Sequence, residues 1–311
     1  MERLIADIGG TNARFALAGS DGRLHDEQKL LVADFPGPVE AARAYLAGRE
    51  VRDAVLAVAT PVDSDWIDLT NAPWAFSVAA ARTALGLRRL VVINDFTAQA
   101  LAVPRLASEE RILIKAGQPR RGGAIAVIGP GTGLGVAGLL PLQDTWYPIP
   151  SEGGHVSLAT HNEREAAVLA RLQARFGHVS NERVLSGPGL INLATTLAAI
   201  DGEVIAFDDP REVSRGAESG ECPYCREALE RFSSLLGAAA GDLALLFCAL
   251  GGVYISGGLC KRLGALLDVA RLRESFVAKG RFADYLERIP IYLVTRRDPG
   301  LLGAAVYPLP P

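Results

Sequence analysis

The sequence lacks several features that would assign it to a class of protein at once. Its 311 residues carry a formal net charge of -3 and no block of lysine or arginine, which argues against a nucleic-acid surface. Four scattered cysteines are too few for a disulfide scaffold, and a cytosolic chain would keep them reduced. A strand pattern begins as early as Arg3, so we expect no signal peptide and no N-terminal helix-turn-helix. These absences favour a cytoplasmic protein that binds small molecules rather than nucleic acid or membrane.

Two local patterns resemble known signals but lack their context. Residues 243–260 carry no charge over a length that can span a membrane, yet Gly251-Gly252 and Gly257-Gly258 divide them into helix, turn and strand. We therefore interpret this segment as buried core. Cys222 and Cys225 form a C-x-x-C, but no second Cys or His pair lies at zinc-site spacing and no βαβ pattern precedes them. We assign them no metal and interpret them as the solvent-side start of a helix.

The stretch 90–103 places a carboxylate where a buried strand ends. Its run Leu-Val-Val-Ile at 90–93 is typical of a buried strand, and a helix-like segment begins at Phe96. Ligands of open α/β sheets bind at the carboxyl ends of parallel strands, so Asp95 is a candidate general base. The alternative is that Asn94 or Asp95 only caps the helix.

Two glycine-rich turns, each between apolar strand patterns, occupy matching positions near the start of each half of the chain. The first turn covers 9–12 between strands at 3–8 and 13–18, and the second covers 129–133 between strands at 124–128 and 134–140. Thr11 and Thr132 lie at equivalent places. Asp7 offers a carboxylate to Mg²⁺, and the bare backbone N–H groups allow close approach of phosphate. The repetition indicates a duplicated domain that holds a polyphosphate from both sides.

Further polar residues stand at the ends of apolar segments. Thr70 and Asn71 follow an alternating segment and offer a hydroxyl and an amide to a sugar, although such loop residues are common. Glu152 and His155, with two glycines between them, offer an acceptor and a donor to adjacent hydroxyls. His25, His161 and His178 have no such neighbour, and we give them no role.

Other segments are predicted from capping and turn signals. Residues 162–176 form an amphipathic helix capped by Asn162 with Glu165 at its third position, whereas 201–220 are predicted to be polar and irregular. Glu182 precedes a further helix, whose N-terminus an acid favours. Gly257-Gly258 joins a strand to a helix and lets a base or phosphate approach the backbone. The last helix, 298–305, is expected to return to the first domain.

Seven blocks of the sequence, in order, resemble the bacterial glucokinase family of the hexokinase, actin and heat-shock ATPase superfamily. The resemblance covers nearly the whole chain and is carried by these blocks: DIGGTNAR (7–14), INDFTAQA (93–100), GPGTGLGVA (129–137), EGGH (152–155), NERVLSGPGL (181–190), SGG (256–258) and DPGLLGA (298–304). It implies an α/β, ribonuclease H-like (actin-like ATPase) fold, duplicated into two domains with an active-site cleft. The small domain would comprise 1–106 and 297–311, and the large domain 107–296.

The resemblance also implies phosphoryl transfer from ATP, with Mg²⁺, to the 6-hydroxyl of glucose, usually by a homodimer. Glucose would be held by Asn94, Asp95, Glu152, His155 and Glu182, with Asp95 as the base. The phosphates would lie between two turns, one of Gly9, Gly10, Thr11 and Asn12, the other of Gly129, Gly131, Thr132 and Gly133, with Gly257 and Gly258 near the adenosine. Asp7 would reach Mg²⁺, through water if not directly.

One residue departs from an ideal phosphate turn. Pro130 has no N–H, so the amides of Gly131, Thr132 and Gly133 are left to bind phosphate in the second turn. Three alternatives stay open: a sugar-responsive regulator with the same fold, a hexokinase of broader specificity, and an ATPase switch that hydrolyses ATP without sugar. The sequence after His155 has no cysteine-rich zinc motif of the kind found in the related repressor and kinase family.

Overall fold

The protein forms two compact α/β units. The computed structural model describes residues 2–19, 21–70, 72–143 and 145–309. One unit comprises 2–107, 146–150 and 296–309, and the other comprises 108–145 and 151–295. Each unit has its own hydrophobic core, and the first unit has a second, smaller core around its last helix.

The strands fall where short apolar, β-branched runs occur in the sequence. Those in the described residues are β1 (Arg3–Ile8), β2 (Asn12–Ala18), β3 (Leu24–Leu31), β4 (Asp53–Val58), β5 (Trp66–Asp68), β6 (Ala75–Ser77), β7 (Arg89–Asn94), β8 (Arg111–Lys115), β9 (Ile125–Pro130), β10 (Leu134–Leu142), β11 (Thr145–Ser151), β12 (Gly252–Ile255) and β13 (Ile291–Val294).

The helices begin mostly at a polar cap or a proline in the first turn. Those in the described residues are α1 (Pro38–Leu46), α2 (Val78–Ala84), α3 (Asp95–Ala102), α4 (Glu163–Phe176), α5 (Gly187–Ile200), α6 (Pro210–Ser219), α7 (Pro223–Leu246), α8 (Gly258–Leu263), α9 (Val269–Val277), α10 (Ala283–Glu287) and α11 (Pro299–Ala305).

The two main sheets have the same strand plan. The first has the order β3-β2-β1-β4-β7, and the second has the order β11-β10-β9-β12-β13-β8. In the first, β1 is antiparallel to β2 and parallel to β4, and β4 is parallel to β7. In the second, β9 is antiparallel to β10 and parallel to β12, and β12 is parallel to β13. The predicted duplication is therefore confirmed, with β8 added as an antiparallel edge strand.

The register of the first sheet aligns the carboxyl ends of its parallel strands. Ile8 of β1 lies opposite Val58 of β4, which lies opposite Asn94 of β7. Both β1 and β4 are mostly buried on both faces, so their apolar side chains fix this register: a slip by one residue would exchange side chains between the cores on the two faces of the sheet. As a result, Gly9 and Asp95 follow their strands at the same edge of the sheet.

The prediction of irregular structure over 201–220 is wrong for its second half, which forms α6. Asp209 caps this helix by accepting from Arg211 N, and the side chain of Glu212 accepts from Asp209 N, so a complete capping box is present. Val213 is the buried residue of α6. The apolar periodicity was therefore too weak to indicate a helix, whereas the Asp-Pro start and the later Glu were a usable signal.

The uncharged segment 243–260 does not form one continuous helix. It is divided among the end of α7, the strand β12 and the start of α8, as its glycine pairs predicted. Within the described ranges, no helix is both long enough and apolar enough to span a membrane.

The last helix packs against α3 at very close range. A Cβ atom on Gly303 of α11 would overlap the carbonyl oxygen of Ala98 and approach the backbone nitrogen of Ala102. Both Gly303 and Ala98 are fully buried or nearly so. Only glycine lets the two helix backbones come this close, and the expected return of the last helix to the first unit is confirmed.

We expect Gly303→Ala to lower the free energy of unfolding by about 1–3 kcal/mol, because the backbone of Ala98 cannot yield to the added methyl group without shifting α3. Urea unfolding monitored by circular dichroism measures this change. An unfolding midpoint equal to that of the unsubstituted protein would show that α11 moves away from α3 without cost.

Candidate active site

Asn94, and not Asp95, is the cap of α3. Its Oδ1 accepts hydrogen bonds from Phe96 N at 2.8 Å and Thr97 N at 3.3 Å. Asp95 is the first residue of α3 and its Oδ1 accepts from Phe96 N at 2.9 Å. The capping alternative is therefore met by Asn94, and the carboxylate of Asp95 is a second acceptor at Phe96 N rather than the cap itself.

A residue that the sequence did not indicate joins Asn94 to Thr70. The carbonyl of Thr60 accepts from Asn94 Nδ2 at 3.3 Å, and its hydroxyl lies 3.2 Å from the hydroxyl of Thr70. Thr60 is buried and follows β4 by two residues. Two of the predicted sugar-binding residues are thus held together within the first unit, and Asn71 lies outside the described residues.

Asp7 lies in a small cluster of charges at the end of β1. Arg14 Nε pairs with Asp298 Oδ1 at 2.9 Å, and a Cβ atom on Gly300 would lie 3.0 Å from Asp7 Oδ2. Burial, opposed by the charge of Arg14 and reinforced by that of Asp298, raises the pKa of Asp7 to about 6. The start of α11 therefore closes over the Asp7 carboxylate.

The chemistry of this cluster suits a magnesium nucleotide better than a metal site built by protein alone. In the described residues, no three His, Cys, Asp or Glu side chains gather to hold an ion. Mg²⁺ in kinase sites keeps several waters and takes one or two carboxylates together with substrate phosphates. Asp7, with a second carboxylate nearby at Asp298, fits that donor set.

Both glycine-rich turns use part of their backbone internally. In the first, Gly9 N donates to Asn12 O at 3.0 Å, and in the second, Gly131 N donates to Gly133 O at 2.8 Å. The N–H of Gly131, one of three expected to bind phosphate, is therefore engaged within its own turn. The expected phosphate contacts of the second turn are therefore left to the N–H groups of Thr132 and Gly133.

Gly257 brings the predicted adenosine segment beside the second turn. Its φ of 125° lies in the region that favours glycine, and a Cβ there would be 2.6 Å from Pro130 O. Ser256 N donates to Ile128 O at 2.8 Å, which continues the parallel pairing of β12 with β9. No larger residue fits at 257 without moving the turn, and Gly258 begins α8 next to it.

Glu152 precedes a tight turn of 3-10 helix over 153–155 and His155 is its last residue, and both residues are exposed. His155 N donates to Glu152 O at 2.9 Å, and a Cβ on Gly154 would overlap the carbonyl oxygen of Leu134. Contrary to the sequence analysis, His178 has a partner here, because its Nε2 lies 3.1 Å from His155 O. This contact joins His178 to the turn that carries Glu152 and His155.

Glu182 reaches the second turn. Its Oε2 accepts from Leu134 N at 2.8 Å, and a Cβ on Gly133 would lie 2.5 Å from the same oxygen. Glu182 lies in a short turn of 3-10 helix. Its backbone carbonyl accepts from the Ser186 hydroxyl at 2.8 Å. A residue predicted to bind sugar is thus attached to the turn predicted to bind phosphate, which no local pattern indicated.

Sequence patterns did not indicate Arg14, Asp298 and Thr60 as parts of the site. Arg14 and Asp298 stand inside the blocks DIGGTNAR and DPGLLGA, so a signal was available for them. Thr60 had a weaker signal: it lies just past the end of a buried strand that neighbours β7.

The duplicated sheets and their paired glycine-rich turns define a sugar kinase with the actin-like ATPase, ribonuclease H-like two-domain fold. The crystal structure of a glucokinase from an Antarctic psychrotroph has a TM-score of 0.88 and 41% identity, covering 98% of this chain and 97% of that one. A glucokinase of the ROK family from Streptomyces griseus, solved with glucose and AMPPNP, has a TM-score of 0.62 at 21% identity, covering 98% of each chain.

Sequence comparison gives the family. The sequence profile described as Glucokinase matches residues 4–309. The glucokinase of Paramagnetospirillum magneticum is 47% identical over 307 residues, which is 97% of this chain and 96% of that protein. The chain belongs to the glucokinase family.

The raised pKa of Asp7 predicts that this carboxylate costs stability at neutral pH. Because the folded pKa of about 6 exceeds the value of 3.8 expected without burial, stability falls as pH rises between the two values. We expect Asp7→Asn to raise the free energy of unfolding by up to about 3 kcal/mol at pH 7.5, and by less as the pH approaches 4.5.

Urea unfolding in EDTA at several pH values measures this difference. Asp63→Asn, which changes an exposed carboxylate in the same unit, is the control and should show no comparable gain. A gain for Asp7→Asn that does not change with pH would contradict the prediction.

Proposed function

We propose that the protein is a glucokinase that transfers the γ-phosphoryl group of ATP to the 6-hydroxyl of glucose, giving glucose 6-phosphate and ADP. The observation that carries this proposal is the placement of Asp95 at the carboxyl end of β7, beside an Asn94 that already caps α3. The glucokinase relatives and the sugar and nucleotide analogue bound to the Streptomyces griseus protein support it.

Asp95 acts as the general base. Phosphoryl transfer has a loose transition state, so catalysis consists mainly of positioning and charge stabilisation. The carboxylate orients the 6-hydroxyl and accepts its proton as the phosphoryl group moves. The first residue of a helix is a rigid place for such a group, because Asn94 caps the helix start and the close packing of α11 against Ala98 and Ala102 holds the rest of α3.

The remaining sugar contacts come from polar side chains. The glucose hydroxyls are bound by Asn94, Thr70, Asn71, Glu152, His155 and Glu182. A site that hydrogen-bonds each hydroxyl rejects analogues that lack one, because buried polar groups are then left unpaired.

Backbone groups of the glycine-rich turns hold the nucleotide. The phosphates contact the turn of Gly9, Gly10, Thr11 and Asn12 and the turn of Gly129, Thr132 and Gly133, and the adenosine contacts Gly257 and Gly258. Asp7 holds Mg²⁺, through water if not directly. When bound, Mg²⁺ neutralises charge on the phosphate oxygens. A cytoplasmic location, expected from the sequence, and a homodimeric state, implied by the resemblance, stay predictions.

Glucose-dependent ADP release in a coupled assay tests the proposal and its key residue together. We expect Asp95→Asn to reduce kcat by about 10²- to 10⁴-fold with little change in KM for glucose, because the amide still hydrogen-bonds the hydroxyl but cannot take its proton. Asp63→Asn is the control for an unrelated carboxylate. ADP release that needs no hexose would indicate an ATPase switch, and a normal kcat for Asp95→Asn would remove Asp95 as the base.

Two substitutions at Glu182 separate its proposed contact with glucose from its observed contact with Leu134 N. In Glu182→Gln the amide oxygen still accepts from Leu134 N, whereas Glu182→Ala loses both contacts. We expect both variants to raise KM for glucose by roughly 5- to 150-fold, the range for one lost buried hydrogen bond, and only Glu182→Ala to raise KM for ATP as well. Steady-state kinetics with each substrate varied makes the comparison, and an unchanged KM for glucose in Glu182→Ala would place the residue outside the sugar site.

A further inference from the structure

Cys222 and Cys225 stand at the start of α7, and the proposed phosphoryl transfer uses neither. Cys222 is the cap of this 24-residue helix, and its Sγ accepts from Cys225 N at 3.2 Å. Pro223 occupies the first helical position. Both cysteines are free thiols, and their side chains are hydrogen-bonded to each other. The helix start therefore holds two sulfur atoms side by side.

Helix α6 packs directly on the two cysteines. Gly216 O accepts from Cys222 N at 3.3 Å. A Cβ atom on Gly216 would lie 3.0 Å from Cys225 Sγ and 3.2 Å from Cys222 Cβ, so the absence of a side chain there makes room for the pair. The backbone of Cys222 is thus held in place by contacts on both sides, which keeps the two thiols near each other without any rearrangement of the chain.

The two thiols differ in exposure in the way that thiol–disulfide exchange requires. Cys222 is partly exposed, whereas Cys225 is fully buried. Burial, together with the hydrogen bond to Cys222, raises the pKa of the Cys225 thiol. A thiolate formed at Cys222 would meet the N-terminus of α7, whose partial positive charge favours an anion. Cys222 is therefore the thiol that an external disulfide reaches first.

A metal is the other use of a C-x-x-C, and the surroundings do not provide one. Structural zinc needs four ligands, usually Cys or His. Among the residues that the structure describes, no group of three or more Cys, His, Asp and Glu side chains could hold an ion.

We propose that Cys222 and Cys225 form a reversible dithiol–disulfide site that exchanges with small disulfides. The Cys222 thiolate attacks one sulfur of the small disulfide, forming a mixed disulfide and releasing one small thiol. Cys225 then attacks Cys222 Sγ, which forms the Cys222–Cys225 bond and releases the second small thiol. The protein loses two electrons and two protons, and the small disulfide gains them. This inference does not depend on the sugar-kinase activity.

Oxidised glutathione is the probe for the experiment. The full-length protein is incubated with it, quenched in acid, and analysed by intact mass and by peptide mapping under non-reducing conditions. We expect the wild-type protein to lose both thiols of the pair, with residues 222 and 225 joined in one peptide, and to recover them with dithiothreitol, while peptide mapping assigns any adduct on the exposed Cys248 separately. Because this measurement needs no variant, the result does not depend on whether a substituted protein folds.

Three variants then test the order of the two steps. Cys225→Ser should accumulate a glutathione adduct on Cys222, because the second thiol is missing. Cys222→Ser should react far more slowly at 225, because Cys225 is buried. Cys248→Ser removes an exposed cysteine outside the pair and should still form the disulfide.

Two results would overturn the proposal. One is a wild-type protein that keeps both thiols of the pair, with modification confined to Cys248. The other is equal rates of modification at Cys222 and Cys225 in the single variants, which would show that the pair has no attacking and resolving member.

Discussion

A buried carboxylate at the end of a parallel strand is the constraint on which the first unit depends. Burial raises the pKa of Asp7, and the charge of Arg14, from the other strand of the same hairpin, acts in the opposite direction and favours the ionised carboxylate. Arg14 is in turn held by Asp298 at the start of α11. The Arg14–Asp298 ion pair therefore couples the hairpin after β1 to the position of the last helix, because removing either member would leave the other charge unpaired.

The second unit repeats this plan with a different distribution of polar groups. Its turn contains Pro130 and an internally bonded Gly131, so it has fewer outward N–H groups than the sequence suggested. The carboxylate next to it is Glu182, which comes from a distant part of the chain and binds the backbone at Leu134. The shared strand order is the same in both sheets, whereas the residues that complete each turn differ.

The sequence predicted the parts of the site that depend on local structure. The boundary between β7 and α3, both glycine-rich turns and the helix after Gly257 were all placed by strand, turn and capping signals. Contacts between distant residues were not predictable in this way. Arg14 with Asp298, and Glu182 with Leu134, are joined only after the sheets are assembled, and no periodicity encodes such pairs. Helix α6 was missed for a different reason, since a polar surface helix carries little apolar pattern.

The close contact between Gly303 and Ala98 has a consequence for the order in which the first unit can assemble. Helix α3 ends at Ala102, whereas its packing partner α11 begins only at Pro299, after β13. The core between these two helices therefore cannot form from the N-terminal residues of the first unit alone. The packing around α3, and with it the setting of Asp95 at its first residue, is complete only once a segment that follows β13 has joined the first unit.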